Sequence, residues 1–234
     1  MSVEVRLPAS DRAARISAAV DRLVGWLGRH WLALFNTIVA IFVLLPFLAP
    51  TFLHLGLTGV GNVIYLAYRP TCHQLPERSF FLFGSQSTYT VAALEADGTL
   101  PPGTDLVQRE ALRYPGNPEI GYKVAICERD VAIYGSMLLG GLIFALARKR
   151  YAARGRTAPK LPIKVYLALL IPMGIDGTTQ LLGLRESTWE LRLITGVLFG
   201  LATVWLAYPY VEEAMSETVA SLPQKNAAPT EMAP

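Results

Sequence analysis

Residues 31–53 run from Trp31 to Leu53 without one charged side chain, and that run limits what the rest of the chain can fold into. At about 1.5 Å of rise per residue, a helix of this length crosses a hydrocarbon core of about 30 Å. Pro46 and Pro50 fall near its end, where a membrane helix tolerates them best. Composition agrees with a lipid setting. Hydrophobic residues make up 52% and charged residues 17% of the 234, with a mean hydropathy of +0.36. A soluble domain carries about 25% charged residues. The length suits one domain, and the net charge of +3 is too small to suggest nucleic acid. Membrane lipids are the expected partners; nothing in the sequence names a protein partner.

Ahead of this run, residues 1–30 alternate Arg6, Arg12, Arg15, Arg22 and Arg29 with Ile16, Val20, Leu23 and Leu27 at helical spacing. That pattern predicts an amphipathic segment lying in the interface or packed on the protein. No small-residue cleavage site follows the apolar run, which predicts a retained anchor. Residues 54–69, weakened by Gly56, Gly59, Gly61 and Asn62, predict a short helix over 60–68. Residues 80–94 predict a re-entrant or surface helix, and 95–119 a loop rich in Gly and Pro turn chemistry.

Further spans are expected over 130–147, 162–183 and 191–210, with 162–183 bent near Pro172. Gly196 and Gly200 give the last of them a GxxxG spacing suited to close helix contact. Residues 148–164 hold seven basic side chains and no acid. Such a block marks the cytoplasmic side, as does the arginine-bearing N-terminus. Four spans satisfy both demands. The expectation is therefore an all-α, polytopic integral protein of the plasma membrane, with four transmembrane helices, short interfacial or re-entrant helices and both termini cytoplasmic. Its parts are a cytoplasmic segment over 1–30, a membrane domain over 31–211 with an extracytoplasmic segment over 54–129, and a disordered tail over 212–234.

Three polar knots interrupt this apolar chain. The first runs through Cys72, His73, Glu77, Arg78 and Ser79. The second is Cys127-Glu128-Arg129-Asp130. The third comprises Asp176, Gln180, Arg185 and Glu186, with Arg192 close behind. The topology puts all three at the outer face. Asp176 and Gln180, four apart, share one helix face, and a charge inside a span is a functional hypothesis by default. Its structural counterpart is an ion pair with Arg192, Arg129 or Arg78.

The two cysteines leave three readings open. An oxidising exterior allows a Cys72–Cys127 disulfide. Cys72, His73, Cys127 and Asp130 offer the ligand types of a zinc site, with Cys127 and Asp130 on one side of a helical turn. Against that, adjacent Cys72 and His73 diverge in any regular element, although Pro70 and Pro76 bracket them. Free redox-active thiols are the third reading. A Cys–His nucleophilic pair is disfavoured, because no third orienting residue is evident. Arg78 and Ser79 suit an anionic group, although Arg78 serves equally to neutralise Glu77 or Asp176.

The strings CHQLPERSFFLFG, CERDVAIYG and GIDGTTQLLGLREST, in this order, resemble the prokaryotic membrane proteins grouped as domain of unknown function 2085. The resemblance covers roughly 65–210 and implies a small polytopic helical protein without an assigned reaction. Many members read CxRC where this chain has Cys127 to Asp130, so Asp130 stands at a cysteine position and departs from a thiol-only set. Two functional classes remain. One is a metal- or thiol-dependent membrane protein, an oxidoreductase or an enzyme acting on a lipidic substrate. The other is a non-enzymatic transporter component or assembly partner with a structural disulfide.

Overall fold

The structure is a computed structural model that describes residues 9–223. Arg6 and residues 224–234 of the expected tail lie outside the described residues. Seven helices follow in order: α1 Ala9–His54, α2 Thr58–Tyr68, α3 Val91–Ala96, α4 Leu106–Leu112, α5 Glu128–Ala152, α6 Ile163–Leu181 and α7 Trp189–Ser221. A 3-10 turn, Pro76–Arg78, and three short strands, β1 Phe81–Leu82, β2 Gly116–Asn117 and β3 Gly121–Lys123, lie between α2 and α5.

Three of the described helices are long and apolar enough to cross a membrane: Asp11–His54, Glu128–Ala152 and Trp189–Ser221. Their outward faces are apolar, with Ile38, Ile41, Leu44, Leu139, Leu142, Leu146 and Ile194 all exposed. A bundle in water would bury these residues; a bundle in lipid presents them.

Contacts between the helix ends fix their directions. Trp31 Nε1 on α1 and Arg148 on α5 both bond Glu212 of α7, each at 2.8 Å, and Lys160 pairs with Glu213 at 2.5 Å. At the opposite end, Ala125, just before α5, donates its N–H to Pro46 O on α1 at 3.3 Å. There Arg129 of α5 meets Asp176 of α6. Thus α1 and α6 run one way along the bundle, and α5 and α7 the other.

The α5–α7 pair is the most extensive packing, and the α7 glycines are why. A Cβ on Gly200 would lie 2.0 Å from Ser136 Oγ, and one on Gly196 2.7 Å from the Ala132 Cβ. Only glycine lets the backbones approach this closely.

Between α1 and α5 the chain departs from the all-helical expectation. In 80–94, only Val91–Ala96 starts a helix; Phe81–Leu82 is a strand instead. Phe81 pairs with Lys123 and Gly116 with Tyr122, giving the sheet order β1-β3-β2. Gly121, at φ 85°, is required here: a Cβ would come within 2.4 Å of Leu82 O. The expected loop over 95–119 also holds α4, closed by a capping box between Asp105 and Gln108. Among the described residues no element between α1 and α5 exceeds the 11 residues of α2, about half of what a span needs.

Two expectations at the termini are corrected. Residues 9–30 do not form a separate helix in the interface; they continue straight into the span as one 46-residue helix. Residues 212–221 are helical, not disordered. Glu212 and Glu213 are held by Arg148 and Lys160, and Val219 and Leu222 pack over Gly28 and Gly25.

Candidate functional site

Four consecutive residues at the start of α5 tie the three polar knots together. Helical geometry turns about 100° per residue, so positions three apart share a side and their neighbours do not. Cys127 and Asp130 accordingly face Cys72, Glu128 faces Arg192, and Arg129 faces Asp176.

On the first side, the thiols of Cys72 and Cys127 and a carboxylate oxygen of Asp130 all lie within 4.8 Å of one another. Cys72 is buried and the other two half-buried. The Cys72 sulfur also accepts two backbone N–H groups, from Cys127 at 3.2 Å and Gln74 at 3.5 Å. Gln74 takes the left-handed conformation, φ 55°, and its amide donates to Tyr65 O at 2.8 Å. The Cys127 thiol and the Gln74 N–H hold the Cys72 thiol below its ordinary pKa, against burial and Asp130. The same hydrogen bond, together with burial, pushes Cys127 well up. Of the two, Cys72 is thus the more readily deprotonated.

Both cysteines are free. The disulfide expected as one alternative is overturned, because the two residues do not stand at disulfide distance and a bond needs sulfurs about 2.05 Å apart. His73 does not join the cluster either. It is exposed, outside the cluster, and lines a cavity that Cys72 also borders.

On the other two sides lies a buried ionic network. Asp176, 1% exposed, accepts from Arg129, from Arg185 at 2.5 Å and from Ser187 at 3.0 Å. Arg192 donates to Glu128 at 2.8 Å, to Glu77 O at 3.2 Å and to Ser187 O at 2.5 Å. With its amide oxygen turned towards the guanidinium groups, Gln180 accepts from Arg78 Nε and Arg192 Nη2, each at 3.2 Å. Burial lowers Arg78 from its ordinary pKa, with Glu77 opposing. Ser79 is fully buried and donates to Leu75 O at 2.8 Å, so it closes a turn. Glu186 is exposed, 3.9 Å from Arg109.

Sequence reasoning passed over Arg109 and Lys123, and placed Glu77 and Glu128 in the polar knots without giving either the partner it meets in the network. Glu77 lies 3.1 Å from Arg109. Lys123 is 1% exposed, donates to Gln74 O at 2.5 Å and lies 5.3 Å from the Tyr65 ring. A lone lysine inside the otherwise uncharged stretch 120–126 was the available signal.

Burial pulls the Lys123 ammonium down to about 7. An unfolded lysine titrates near about 10.4. Between these values the unfolded chain binds more protons, so stability rises with pH across that window and is flat below it. Lys123→Met should remove the rise, as read by thermal unfolding in detergent from about pH 6 to about pH 10. An unchanged slope would assign the titration to another group.

Comparison with known proteins places this arrangement. A family profile described as predicted membrane protein (DUF2085) matches residues 120–206, which hold Cys127 to Asp130, Asp176, Gln180, Arg185 and Arg192. Uncharacterized protein MJ1492 of Methanocaldococcus jannaschii is 35% identical over 175 residues, covering 72% of this chain and 85% of that protein. No solved structure gives a significant match. The chain belongs to the DUF2085 family of predicted membrane proteins.

Proposed function

We propose that this is a four-span plasma-membrane protein in which Cys72, Cys127 and Asp130 hold a divalent metal, zinc by ligand type, at the extracytoplasmic face. The convergence of these three groups from segments 55 residues apart carries the reading. Two thiols and a carboxylate are a zinc donor set. N–H groups aimed at a cysteine sulfur stabilise the thiolate that a metal requires. Three protein ligands leave one position open, as in catalytic rather than structural zinc sites. A metal so held supplies Lewis acidity at that position. The chain's own groups hold the thiolate, orient Asp130 from the first turn of α5 and shield the pair from water.

The fourth span is α6. Its composition is diluted by Asp176 and Gln180, but both are buried against the bundle. The face it turns outward carries Ile163, Val165, Leu167, Ile171 and Ile175. It also runs between the same two ends as α5 and α7. The basic residues of 148–164 favour the cytoplasm for the end away from the cysteines. Reporter fusions after Lys149 and after Val211 should register cytoplasm, and fusions within 95–119 the exterior. A cytoplasmic signal from 95–119 would reverse the site's assignment.

Elemental analysis of purified protein tests the metal. One zinc per chain is expected, falling below about a tenth in Cys72→Ser because two ligands hold zinc far more weakly than three. Chelation should expose two thiols to a thiol reagent. Two thiols freely reactive before chelation, with no metal, would overturn the reading.

A further inference from the structure

Cys72 also lines a cavity of about 490 Å³, whose charged lining is one-sided. Arg69, Arg113 and Lys123 line it, with His73, against the single acid Glu110. Neither arginine nor Lys123 makes an ion pair among the described residues, whereas Arg109, Arg129, Arg185 and Arg192 all do. The Lys123 ammonium donates to Gln74 O, its one side-chain hydrogen bond among the described residues. Among the described residues, two of the three non-glycine positions with positive φ, Gln74 and Arg113, lie on this lining. Such conformations cost free energy and gather at binding sites.

We infer that this cavity binds the phosphate group of a phosphate-bearing molecule, and that this group is presented to the Cys72 centre. It rests on the metal reading for the role of the bound group, and on the cavity's own side chains for the binding. Two arginine forks and a buried lysine donor match the several acceptor oxygens of a phosphate better than a lone carboxylate. The volume exceeds a bare phosphate and falls in the range of small-ligand sites. The ligand is therefore a phosphoester, supplied either as a phospholipid head group or as a soluble compound. α2, which ends beside Arg69, exposes Val60, Val63 and Leu66, an apolar face on which an acyl chain can lie.

Calorimetric titration of the full chain in non-ionic detergent, with inorganic phosphate and with dihexanoylphosphatidylglycerol, tests this. Binding of both probes assigns the shared phosphate chemistry, and binding of the lipid alone assigns the head-group source. Arg69→Gln with Arg113→Gln should weaken binding at least about tenfold. Both side chains are exposed, so the fold should survive their loss. Lys123→Gln should do the same, counted only where helical content is retained. Wild-type protein stripped of zinc by chelation should still bind phosphate within about twofold of the untreated protein, which separates failure of the metal reading from failure of this one. Failure of the wild type to bind either probe, or equal affinity in the double-arginine variant, would overturn the inference.

Discussion

Arg192→Met is expected to destabilise the folded chain by about 3–5 kcal/mol, the cost of breaking a buried ion pair from one side. The upper end applies, because the abandoned Glu128 side chain is 1% exposed and the Arg192 side chain 6%. Burial leaves no water to replace the guanidinium, which also bridges Glu77 O and Ser187 O. Removing both charges together in Glu128→Gln with Arg192→Met should cost much less than the single changes summed, since no charge is then stranded. Unfolding in detergent, arranged as a double-mutant cycle, reads the coupling directly. A single Arg192→Met variant within about 1 kcal/mol of the wild type would mean that the pair is solvated in the membrane-bound protein.

Asp176→Asn should be the milder of the two, at about 2–3 kcal/mol, the value of charged hydrogen bonds lost without complete stranding. Its side chain is 2% exposed, but Arg185 is 39% exposed and can turn to solvent, while Arg129 retains only partial access at 17%. Ser187 can still donate to the amide oxygen of the replacement. The variant should insert and keep its helices while unfolding at lower temperature. A loss as large as that of Arg192→Met would show that Arg185 has no alternative partner.

The spans were legible because hydropathy over twenty or so residues is a strong, local signal, and three of the long helices announce themselves in this way. The convergence of the polar knots was legible for a similar reason, since charges excluded from lipid have few places to go. Partner choice within the network was not. Asp176 was expected to meet Arg192, Arg129 or Arg78; it meets Arg129, as one alternative had it, and Arg185, while Arg192 is taken by Glu128. That outcome turns on the rotation of α5 about its axis, which no spacing within α6 or α7 encodes. The small sheet escaped notice because strands of two or three residues carry no periodicity to read. His73 misled because it stands one residue from Cys72 in sequence yet outside the Cys72–Cys127–Asp130 cluster. Lys123 was missed because a single lysine in a connecting segment looks solvated until the fold buries it.

The central claim is a metal held by Cys72, Cys127 and Asp130, and X-ray absorption at the zinc edge of the purified protein tests it most directly. The account predicts two sulfur neighbours at about 2.3 Å and oxygen or nitrogen neighbours at about 2.0–2.2 Å, with one sulfur lost in Cys127→Ser. A spectrum with no sulfur neighbours, or protein that holds no zinc when supplied with it, would contradict it.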